Sequence, residues 1–122
     1  MKNIAIISLV FASLLLVGCQ EAHAEGIDVG RLADAIYKAE NSVRYPYGIK
    51  SINTHGDMVY ARRICINTIK NNIKRWQVAG CPKEFIEFLG DRYCPKADDP
   101  KGHKVWARNV KSLYLNTAST MR

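Results

Sequence analysis

With 122 residues, the chain is long enough for one domain and too short for two of ordinary size. Its 18 Lys and Arg outweigh 11 Asp and Glu, a formal +7 that favours anionic surfaces such as cell-wall polymers, lipid headgroups or nucleic acid, or merely keeps a small domain in solution. No run of five or more like charges occurs, which excludes a basic tail and spreads the cations over several faces.

The first element is a leader. Lys2 precedes an apolar run from Ile4 to Val17, the length of a signal-peptide core and short for a bilayer span. Leu16-Val17-Gly18-Cys19 at its end looks like a bacterial lipobox, which implies cleavage after residue 18 and acylation of Cys19. Ala22-His23-Ala24 offers a competing A-x-A cut that would release a soluble form. Either way an exported chain is expected. The lipobox implies a membrane-anchored envelope lipoprotein, with Gln20 resembling an outer-membrane address facing the periplasm. Removing residues 1–18 takes away Lys2 and leaves 17 basic against 11 acidic side chains, a formal +6.

Residues 19–27 read as a tether, 28–116 as the folded domain and 117–122 as a frayed end. Asp28 predicts an N-cap for a helix ending near Glu40, with Val29, Leu32, Ala33 and Ile36 on one apolar stripe. Pro46 constrains Tyr45 to extended geometry, so the helix stops before it. A short strand or hairpin arm is expected over Gly48 to Asn53, closed by Thr54-His55-Gly56. Asp57 predicts the cap of a long helix from Met58 to Val78, with Met58, Ala61, Cys65, Ile69, Ile73 and Trp76 inward. A third helix is expected from Pro82 to Leu89, stopped by Gly90, and a fourth from His103 to Leu115. The sum is a mainly α domain with a small β-containing or irregular insert after the first helix.

Of the cysteines, Cys65, Cys81 and Cys94 belong to the domain. Export and an odd count predict one disulfide among them, with three pairings open and Cys94 favoured by its loop. No close C-x-x-C pair occurs, and Asp98-Asp99 alone supply too few oxygens for calcium, so no metal and no cofactor are expected. His55 and His103 have no local nucleophile, which leaves a catalytic triad without support.

Glu40 continues the apolar stripe, and a carboxyl against apolar neighbours favours its neutral form, as a general acid needs. The plainer alternative is a helix-end Glu turned to solvent. Glu40-Asn41-Ser42, a spacer, and then Gly48-Ile49-Lys50-Ser51-Ile52 together resemble the lysozyme-like lytic transglycosylases and goose-type lysozymes. The resemblance covers about residues 28–55. It implies a compact lysozyme-like helical fold that cleaves peptidoglycan glycan strands with one catalytic Glu, here Glu40. It also implies a sugar-binding floor shaped by Tyr47, Gly48 and Ile49, with Tyr45 and Ser51 as further substrate-binding residues. Ser51 replaces the family's usual Gln, and no Ala-Tyr-Asn-x-Gly segment follows. Tyr93 and Tyr114 are the candidates for the lost tyrosine. The competing class is a non-enzymatic envelope lipoprotein, an inhibitor, exclusion or scaffold protein, binding a partner through its basic surface. No nucleic-acid partner is expected, since export and the lack of a binding motif outweigh net charge.

Overall fold

The structure is a computed structural model that describes residues 26–120. The leader, Cys19 and most of the tether lie outside the described residues. Four helices occur among these residues: α1 (Val29–Glu40), α2 (Met58–Val78), α3 (Phe85–Tyr93) and α4 (Pro100–Thr120). One 3₁₀ turn, Pro46–Gly48, stands between α1 and α2. The described residues are therefore mainly helical.

Both N-caps are made as the sequence predicts. The Asp28 carboxylate accepts from the Arg31 N–H at 3.1 Å, and Asp57 accepts from the Tyr60 N–H at 3.0 Å. Each satisfies a backbone donor that the first helical turn cannot. α1 buries Leu32, Ala33, Ala35 and Ile36 and ends where Asn41 turns left-handed, at φ 44 and ψ 44. Asn tolerates that conformation better than most residues.

The insert contains no strand among the described residues, and the arm expected over Gly48 to Asn53 does not form. Tyr47 and Gly48 both adopt positive φ, 61° and 70°, which folds the chain back on itself. The Gly48 N–H then donates to the Tyr45 carbonyl at 2.8 Å, and the Ile49 N–H to the Pro46 carbonyl. Those local bonds consume groups that a strand ladder would need. The insert is irregular.

On α2 the residues Ala61, Cys65, Ile69 and Trp76 are buried, while Met58 at the helix start is exposed. Asn72 is buried as well, its side-chain amide donating to the Thr68 carbonyl at 2.8 Å. α3 starts at Phe85, not Pro82, and Lys83 lies in the irregular link before it. Its carbonyl accepts the Trp76 indole N–H at 2.7 Å. α3 also runs through Gly90 to Tyr93. α4 begins at Pro100, ahead of the expected His103, because Asp99 caps it: its carboxylate accepts from the Gly102 N–H at 2.9 Å. The helix continues past the expected Leu115, and it packs across both α1 and α3.

Leu32, Ile36, Cys65, Ile69, Leu89 and Val110 form the fully buried centre, drawn from all four helices. Tyr114 ties the far end of α4 to the start of α1. Its hydroxyl accepts from the Asp28 N–H at 3.0 Å, and the Arg31 guanidinium lies 4.0 Å over its ring. No helix among the described residues is long and apolar enough to cross a membrane.

The expected disulfide among Cys65, Cys81 and Cys94 is not formed, since Cys65 and Cys94 are both free thiols. Cys65 is fully buried on α2 with its Sγ 3.6 Å from the Tyr93 hydroxyl. A phenol, not a second thiol, faces it.

Candidate functional site

Glu40 is the last residue of α1, and the packing of α1 on α4 carries its half-buried carboxyl to Trp106. The indole N–H donates to Glu40 Oε1 at 2.9 Å. Behind the carboxyl lies Gly48. A Cβ built there would stand 2.7 Å from the Glu40 carboxyl carbon and 2.8 Å from Oε1, closer than real atoms pack. The left-handed turn brings backbone, with no side chain, flat against the acid.

Trp106 is itself held in place. Its ring stacks on Tyr93 with centroids 5.0 Å apart and planes 15° apart. Gly90 lies beneath, where a Cβ would come within 3.3 Å of the indole and 3.0 Å of His103. His103 is buried, with Nδ1 2.9 Å from the Cys94 carbonyl and 3.4 Å from Asp91 Oδ1. Burial pushes the Tyr93 hydroxyl well above its ordinary range, and Cys65 adds to that shift. Tyr93 is therefore a neutral wall of the site at any physiological pH.

Glu40, Trp106 and Tyr93 border a cleft of about 270 Å³, lined also by Ala39, Cys94 and Asn109 among others. Cys94 brings a free thiol, but partial burial raises its pKa, and the charges of Asp99 and Glu40 raise it further. Such a thiol is a poor nucleophile, because the thiolate is the reactive form. Burial likewise pushes the Cys65 thiol up to about 11. Glu40 brings the one carboxyl group among the residues lining this cleft.

The residues expected to bind the sugar separate into distinct environments. Gly48 meets Glu40. Tyr47 is buried, its ring 5.0 Å from Tyr37, so it supports the turn from within the core. Ile49 is half-buried against that same core. Tyr45 is half-buried, with the Arg44 guanidinium 5.2 Å and the Lys50 ammonium 5.9 Å from its ring. Ser51 is exposed. Tyr45, Tyr47, Ile49 and Ser51 are not among the residues lining the cleft.

The two candidate tyrosines separate cleanly: Tyr93 lines the Glu40 cleft, while Tyr114 is engaged at the start of α1. Asp57 is occupied as the α2 cap and His55 is exposed. Neither Trp106 nor its bond to Glu40 is singled out in the sequence. One signal points to it: Gly102, Trp106 and Asn109 recur at four and three, a face too mixed in polarity for a core stripe. No family model, curated protein or solved structure matches this chain.

Proposed function

We propose that this chain is a peptidoglycan-cleaving glycosidase of the lytic transglycosylase type, related to the lysozyme-like superfamily, with Glu40 as its single acid and base. The observation that carries this reading is the position of the Glu40 carboxyl. It is half-buried at the edge of a cleft, backed by Gly48 and fixed through one oxygen by Trp106.

With Oε1 accepting the indole N–H, Oε2 is the oxygen left to exchange a proton with substrate. The reaction needs two transfers. Protonated Glu40 gives its proton to the glycosidic oxygen as the bond to the anomeric carbon breaks. The carboxylate so formed then takes the proton of a substrate hydroxyl as that oxygen closes on the anomeric carbon. Glu40 returns to its starting state, and the product ends in an anhydro sugar. One carboxyl is enough for this route. Retaining and inverting hydrolases commonly use two, and Asp57, the nearest later acid, is engaged as a cap.

At about 270 Å³ the cleft is slightly below the roughly 300–1,000 Å³ usual for ligand pockets. It would hold the sugars beside the scissile bond and leave most of the glycan strand outside. The basic surface suits an anionic wall, and the lipobox at Cys19 would tether the enzyme to a membrane beside it.

Incubation of the wild-type protein with purified sacculi tests this reading. Release of muropeptides with anhydro ends is expected. Reducing ends would make the enzyme a hydrolase, and no release across pH and salt would favour the partner-binding lipoprotein.

A further inference from the structure

On the other side of α4 from Glu40, a larger groove of about 680 Å³ runs between α3 and α4. Its α4 wall carries Lys104, Arg108 and Lys111, which recur at four and three and so share one face. Lys96 from the preceding loop extends the same wall, and Ile86 and Ala107 supply an apolar, buried floor. Two cations of the groove are already paired: Lys111 with Glu84 at 2.9 Å and Lys83 with Asp91 at 3.2 Å. Lys96, Lys104 and Arg108 have no ion pair among the described residues.

We propose that this groove is a docking site for a short acidic peptide segment, separate from the Glu40 cleft. Three features select a peptide over other anions. The cations line a concavity, whereas a lipid surface would be met by a protruding face. Glu87 lines the opposite wall beside Glu84, which is already paired with Lys111, and a peptide, unlike a polyphosphate, has backbone N–H groups to donate to it. The apolar floor suits the Cα and side-chain carbons between the carboxylates. The partner's carboxylates would then face Lys104 and Arg108, with no native ion pair to break first. This surface goes beyond the glycosidase reading and does not depend on it.

Fluorescence polarisation of a fluorescein-labelled oligoglutamate peptide tests the site on the full folded chain. The Lys104→Glu/Arg108→Glu variant should bind at least about tenfold more weakly than wild type, as expected for reversal of facing charges. Lys70→Glu/Lys74→Glu, with the same change in net charge on α2, outside the groove, should bind as wild type does. Lys96→Glu serves as a third variant outside the helices should the α4 variant fail to fold, and it should weaken binding as well. Equal loss in the α2 variant would reduce the effect to overall charge and overturn the proposal. So would an unchanged affinity in the folded groove variants, or binding of inorganic polyphosphate or phosphatidylglycerol vesicles with none of the peptide.

Discussion

At the scale of single residues, the site depends on what is missing from one position. Gly48 has φ +70, and its absent Cβ is what lets the turn lie against the Glu40 carboxyl. Gly48→Ala adds a methyl that must displace the acid and also strains the left-handed backbone by about 1–2 kcal/mol. Thermal unfolding should show that loss. Muropeptide release should fall by about two orders of magnitude, since an ångström of misplacement is costly in an oriented site. A Gly48→Ala protein with wild-type stability would contradict the packing. The thiols allow an independent check at the same scale. Unfolded, unreduced protein should yield Cys65 and Cys94 as alkylated free thiols in peptide mapping, and either one found in a bridge to the other or to Cys81 would contradict the structure.

Among the elements, α3 and α4 meet more closely than helix propensity alone would favour. Alanine is the better helix former by about 1 kcal/mol, yet Gly90 is buried mid-helix. A Cβ there would press on His103, which is buried and held by the Cys94 carbonyl, and on Trp106. Gly90→Ala should therefore be net destabilising, with overpacking of about 1–3 kcal/mol exceeding the propensity gain. Denaturant unfolding would measure it, and a stabilised variant would show that α4 can shift. The same glycine shows where sequence legibility ends. Gly90 reads as a helix stop because a glycine needed for close packing looks the same in sequence as one needed for a turn. The caps at Asp28 and Asp57 and the α2 stripe are legible, because they depend on neighbours within a turn or two. The insert is not, since a positive φ at Tyr47 follows from tertiary packing and has no mark in residue type. Glu40 can be singled out by its place on the stripe. Its bond to Trp106 spans 66 positions and depends on how α1 crosses α4.

For the whole molecule, the buried Cys65–Tyr93 contact links stability to pH. Burial raises the Cys65 thiol from its ordinary 9.0 to about 11, and the Tyr93 hydroxyl is raised too. Between those values the folded chain keeps a proton that the unfolded chain has lost. Stability is thus fully present below about pH 9 and is lost as pH rises through about 11, by up to about 1.4 kcal/mol per pH unit for that proton. Urea midpoints across this range should fall in the wild type. Cys65→Ala, less stable at neutral pH because of its cavity, should show a shallower decline; parallel curves would mean that Cys65 is not the group responsible.

The most direct test of the account compares wild type with Glu40→Gln on purified sacculi, with thermal unfolding measured on the same samples. The amide keeps the shape and can still accept the Trp106 indole N–H, but it cannot deliver a proton. Muropeptide release should drop by about two or more orders of magnitude, the usual worth of acid–base catalysis, while the unfolding temperature holds or rises. Undiminished release from the Glu40→Gln protein, or a loss of release matched by a loss of folding, would contradict Glu40 as the catalytic acid.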